Sequence, residues 1–137
     1  MVHTASIEAA MPRVLIVEDE ALIRLALGDF LESSGFRVIE ASTGDQAAQI
    51  LERGGPPIDL VFSDVRMPGT MDGLKLASWI RERHPELPVF LASGDIGKAH
   101  TSSDLAPGQP FFPKPYDMNF VACQMRATLQ GLTQRAV

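Results

Sequence analysis

Apolar residues in this chain fall into short unbroken runs that alternate with stretches of helical period. Arg13-Val14-Leu15-Ile16-Val17 is a β-branched run that stops at Glu18-Asp19-Glu20, and it predicts a strand covered on both faces. From Ala21 to Leu31 apolar residues recur at Leu22, Leu25, Ala26 and Phe30, a helical period that Ser33-Ser34-Gly35 terminates. Phe36 to Glu40 predicts a second strand, and Thr43 to Arg53 a second helix, with Thr43 as its cap and Gly54-Gly55-Pro56-Pro57 as its stop. Ile58 to Ser63 is the third strand; its core, Leu60-Val61-Phe62, lacks the alternation of a half-wet strand. Leu74, Ala77, Trp79 and Ile80 mark a third helix ending at His84-Pro85, because the residue before a proline avoids helical geometry. Leu87 to Ala92 is strand four.

Gly94 to Gly108 offers only Ile96, Ala99 and Leu105 as apolar candidates, which predicts a short or frayed fourth helix. Gln109 to Phe112 is a fifth strand flanked by Pro110 and Pro113, and prolines belong at a sheet edge, where a missing donor costs little. Asp117 can cap a last helix with the apolar face Val121, Ala122, Met125, Leu129 and Leu132. Five strands alternating with five helices predict an α/β fold: a three-layer (βα)5 doubly wound sandwich with right-handed crossovers. Strand five at an edge selects the flavodoxin-like parallel sheet order 2-1-3-4-5. Strands one and three are then central neighbours. Glu18, Asp19 and Asp64 meet at their carboxyl ends, the edge where open parallel sheets bind ligands.

Composition narrows the class. A chain of 137 residues has room for one domain, expected over 12–132, with a loose amino-terminal tail, 1–11, a short tail, 133–137, and no output domain. No apolar run approaches the roughly 20 residues of a membrane span, and Met1 to Met11 has neither the charge nor the run of a targeting signal. Cys123 is the single cysteine, and His3, His84 and His100 have no metal-ligand spacing, which fits a cytoplasmic protein without zinc. A net charge of -5 argues against nucleic acid as a partner.

Carboxylates crowded within a few ångströms raise one another's pKa unless a cation joins them, and oxygen ligands alone favour Mg²⁺. Taken singly, each residue has a plainer reading. Acids at a helix start suit its dipole, Asp64 could form the turn before Pro68, Ser93 could be an N-cap, and Lys114 could be a solvated surface cation. All of them fall at carboxyl ends of strands one, three, four and five, and chance does not readily place them there together. A carboxylate nucleophile (Asp64), a divalent cation, a hydroxyl (Ser93) and a lysine (Lys114) are the parts of a phosphoryl transfer to aspartate. Arg66, two residues after Asp64, and Asp95, two after Ser93, would project over that site and could pair as a gate against water.

These motifs together resemble the receiver domain of two-component response regulators, in its stand-alone form. Its carriers are Val14 to Glu20, Asp64-Val65-Arg66-Met67-Pro68-Gly69 with Asp72-Gly73, Ala92-Ser93-Gly94 and Lys114-Pro115, spread over Pro12 to Leu132. The resemblance implies Asp64 as phosphoacceptor, with Glu18, Asp19, Asp64 and the Arg66 carbonyl around Mg²⁺. It also implies Ser93 and Phe111 as the switch pair, Lys114 as the phosphate partner and a cis Lys114-Pro115 bond. Its partners would be a histidine kinase or histidine phosphotransfer protein and a downstream protein on the face of helix four, strand five and helix five. A weak homodimer stays open. Two other classes compete: a haloacid-dehalogenase-like phosphatase or phosphotransferase, whose pattern at the end of the first strand is Asp-x-Asp where this chain has Asp19-Glu20-Ala21, and a phosphorylation-independent binding module, whose mark would be loss of Asp64 or Lys114.

Overall fold

The computed structural model describes residues 11–94 and 105–136, with side chains to residue 132. The strands are β1 (Arg13–Val17), β2 (Arg37–Ala41), β3 (Leu60–Asp64), β4 (Val89–Ser93) and β5 (Phe111–Pro113). The helices are α1 (Ala21–Ser33), α2 (Gly44–Glu52), α3 (Gly73–Arg83) and α4 (Met118–Ala136). All strand pairs are parallel, in the order β2-β1-β3-β4-β5, so β5 is an edge as its prolines predict. The fourth helix expected between Gly94 and Gly108 falls mostly on 95–104, outside the described residues. The helix expected fifth is therefore α4, and it runs to Ala136, past the boundary expected at Leu132.

Alternate residues of the central strands feed two separate cores, which is why their sequence shows no polar face. Val14, Ile16, Leu60, Phe62 and Phe90 pack under α1 and α4 with Leu27, Leu31, Val121 and Met125. Leu15, Val17, Val61 and Leu91 pack under α2 and α3 with Ala47, Leu76, Ala77 and Ile80. Both caps form as the sequence predicts. Thr43 accepts the Gln46 N–H at 3.0 Å to start α2, and Asp117 accepts the Asn119 N–H at 2.8 Å to start α4.

The register of α1 is a correction. Of the expected stripe Leu22, Leu25, Ala26 and Phe30, only half-buried Phe30 packs against the core; the buried residues are Leu27, Gly28 and Leu31. Leu22 is 83% exposed and Leu25 49%. Ala21 to Leu27 is apolar on every side except at Arg24, so periodicity alone could not choose between adjacent stripes. The choice follows from what Arg24 and Gly28 meet on β2.

Candidate functional site

Four strand ends build the site. Val17 pairs with Ser63, Asp64 with Ala92, and Ser93 with Pro113, so Glu18, Asp64, Ser93 and Lys114 leave the sheet on one rim. Loop hydrogen bonds continue the ladder there: the Val65 N–H donates to the Ala92 carbonyl at 2.9 Å, and the Lys114 N–H to the Ser93 carbonyl at 2.9 Å. Asp64 is the last residue of β3, one beyond the predicted end, and is held by strand geometry rather than by a turn. Gly73 brings α3 against that strand end. A Cβ there would lie 2.1 Å from the Asp64 carbonyl oxygen and 2.7 Å from Val65 Cα, so any larger residue meets backbone.

Glu18, Asp64 and Ser93 are buried, whereas Asp19 is exposed. Carboxylate oxygens of Glu18, Asp19 and Asp64 lie within 4.8 Å of one another. Lys114 Nζ sits 3.3 Å from Glu18 Oε1 and 3.3 Å from Asp64 Oδ2, and the Glu20 N–H donates to Glu18 Oε2 at 3.0 Å. Burial raises the pKa of Asp64; Lys114 opposes the rise and Asp19 adds to it. Burial likewise raises Glu18, helped by Asp64 and opposed by the Glu20 N–H and Lys114. For Lys114 burial acts against the charged form, but Asp64 and Glu18 outweigh it and the pKa ends above its ordinary value. A single lysine thus serves two buried acids, with the third carboxylate open to solvent. This donor set, all oxygen and short of positive charge, fits a hard divalent cation.

A family comparison decides what this rim belongs to: residues 14–122 match the model of the response regulator receiver domain. The chain belongs to the response regulator receiver domain family. It is similar to the sensor kinase CckA of Brucella abortus, 36% identical over 120 residues, which covers 85% of this chain and 12% of that protein. It is also similar to the DNA-binding transcriptional regulator NtrC of Klebsiella pneumoniae, 34% identical over 76% of this chain and 22% of that protein. It therefore spans only a fraction of these relatives. Among solved structures, the receiver domain of the hybrid histidine kinase CckA superposes with a TM-score of 0.70 at 35% identity, over 85% of this chain and 98% of that one. A receiver protein from Sinorhizobium medicae gives 0.78 at 26% identity, over 90% and 98%. These relationships establish the flavodoxin-like receiver fold and a phosphoacceptor signalling role in a two-component system.

Within this receiver domain the predicted residues Glu18, Asp19, Asp64, Ser93 and Lys114 come together, and Lys114-Pro115 is cis. Arg66 is exposed and Phe111 is half-buried on edge strand β5, while Asp95 lies outside the described residues. Sequence reasoning missed two neighbours. Tyr116 packs edge-on against Phe62 with ring centroids 5.4 Å apart, and burial pushes its hydroxyl up to about 12. Arg24 touches the Glu18 backbone, and the visible signal was a lone charge in the apolar stretch Ala21 to Leu27.

Proposed function

We propose that Asp64 is the phosphoacceptor of this receiver domain, taking a phosphoryl group from the histidine of a kinase or phosphotransfer protein. The observation that carries the reading is the shared contact of Lys114 Nζ with Glu18 and Asp64 at 3.3 Å, inside a triad of carboxylates. An Asp64 carboxylate oxygen attacks phosphorus, the P–N bond to the donor imidazole breaks, and the nitrogen keeps its electron pair. Lys114 then moves its interaction from the carboxylates to a phosphoryl oxygen, and the Ser93 hydroxyl takes another. Glu18, Asp19, Asp64 and the Arg66 carbonyl would hold Mg²⁺, which when bound offsets the charge on the transferring oxygens. Turnover ends at self-phosphorylation and self-dephosphorylation, in the cytoplasm. None of the helices among the described residues is long and apolar enough to cross a membrane.

Exposed Leu22 and Leu25 on α1 and Phe120 on α4 follow directly on the site loops in the chain, and offer the donor protein an apolar landing beside Asp64. The signal leaves through β5, α4 and the segment between β4 and β5, with Phe111 moving under packing alone because it carries no hydroxyl. Incubation with acetyl phosphate and Mg²⁺ should add one phosphate by intact mass, and Asp64→Asn should add none. Leu22→Asp should still be labelled by acetyl phosphate but slowly by a protein donor. Equal labelling of Asp64→Asn sinks the assignment, and sustained multiple turnover on a phosphomonoester would point to a phosphatase.

A further inference from the structure

Arg24 stands on the first turns of α1 and its guanidinium reaches two other segments at once. Nη1 donates to the backbone carbonyl of Glu18 at 2.7 Å, and Nε donates to Glu40 Oε1 on β2 at 3.0 Å. The Arg24 side chain is 18% exposed and that of Glu40 35%, so the fork is part-buried on its Glu18 branch and open to solvent on its Glu40 branch. The Glu18 N–H donates to the Ala41 carbonyl at 3.1 Å, which holds the same peptide segment from its other side. One turn along α1, Gly28 lets the helix approach Glu40. A Cβ there would lie 3.4 Å from Glu40 Oε2 and 3.7 Å from Val38 Cγ1, so a methyl just fits and a longer side chain would displace the glutamate. The approach therefore excludes side chains longer than a methyl at position 28 without requiring glycine itself.

We infer that Arg24, tethered by Glu40, is a positioning residue: it fixes the turn from β1 to α1 so that Glu18 and Asp19 present their carboxylates to the cation. The inference rests on the proposal that these acids and Asp64 bind Mg²⁺. Two effects of Arg24 oppose each other. Its positive charge disfavours a nearby cation, whereas its hydrogen bond to Glu18 removes freedom from the loop that carries two ligands. Glu40 neutralises the charge at 3.0 Å and leaves the geometric effect in control. Partners that orient metal ligands in this way commonly contribute about 10- to 100-fold to metal affinity.

The test is a calorimetric Mg²⁺ titration of the metal-free protein, its Arg24→Met, Arg24→Lys and Glu40→Gln variants, with melting curves in chelator beside it. Arg24→Met and Glu40→Gln should each weaken Mg²⁺ by about 10-fold or more. Arg24→Lys should stay weaker than the parent, since Arg24 serves its two partners from two separate nitrogens, Nε and Nη1, whose spacing a single ammonium nitrogen does not reproduce. A purely structural role would lower the melting temperature and leave Mg²⁺ affinity unchanged, which overturns the inference, as does tighter binding by Arg24→Met. Should Arg24→Met fail to fold, the more exposed Glu40→Gln decides the same question. A parent that binds no Mg²⁺ overturns the triad reading as well; parental affinity retained in both variants overturns the positioning role alone.

Discussion

Replacing Asp64 by Asn in the metal-free protein should raise its stability at neutral pH, although it removes an ion pair. At an effective dielectric near 20, Lys114 at 3.3 Å attracts the carboxylate by about 5 kcal/mol. Glu18, within 4.8 Å, repels it by about 3.5 kcal/mol, and exposed Asp19 adds about 1 kcal/mol, the value in water at that distance. The Coulomb contributions nearly cancel, so the penalty for burying an ion, several kcal/mol after relaxation, decides the sign. Asparagine avoids that penalty but brings a buried amide whose unmade hydrogen bonds cost about 1–3 kcal/mol. The remaining gain is about 1–2 kcal/mol, and with an unfolding entropy near 2.1 cal/mol/K per residue over 137 residues the melting temperature should rise by about 3–7 °C.

The pH dependence has a definite sign. Burial raises the folded-state pKa of Asp64 above the ordinary 3.8, so the folded chain holds the proton more tightly than the unfolded one. Stability from this group is complete below 3.8 and is lost as pH climbs through the folded value. The advantage of Asp64→Asn should therefore vanish below pH 3.8 and be larger at pH 7. Urea and thermal melts in chelator at the two pH values measure it. Excess Mg²⁺ should stabilise the parent and leave the variant nearly unchanged. A variant less stable than the parent at pH 7 in chelator would refute the reasoning.

Two further outcomes follow from the same rim. Gly73→Ala should cost about 3 kcal/mol or more in urea melts and abolish labelling by acetyl phosphate, because its methyl would meet the Asp64 and Val65 backbone; an unchanged midpoint contradicts it. If Arg66 and Asp95 gate water above Asp64, each single alanine variant should shorten the aspartyl-phosphate half-life, every 1.36 kcal/mol being tenfold, and the double variant should add little; parental half-lives in both singles remove the gate.

Most of this receiver was legible in local runs of sequence. Val14 to Val17 and Leu60 to Phe62 are apolar without alternation because both faces of those strands are covered, and Pro110 and Pro113 marked the edge because a missing donor is tolerated only there. Once the strand order follows, the rim that collects Glu18, Asp19, Asp64, Ser93 and Lys114 follows too, since a parallel sheet places all its carboxyl ends on one side. The face of α1 was decided only by tertiary structure. Ala21 to Leu27 would satisfy several registers, and the selection came from Arg24 meeting Glu40 and Glu18 and from Gly28 lying against β2, contacts between residues up to 16 positions apart. The two pKa-raised acids and the lysine they share belong to the same class. Glu18 and Lys114 are separated by 96 positions, and their coupling depends on a 3.3 Å distance and on burial, neither of which a local pattern contains.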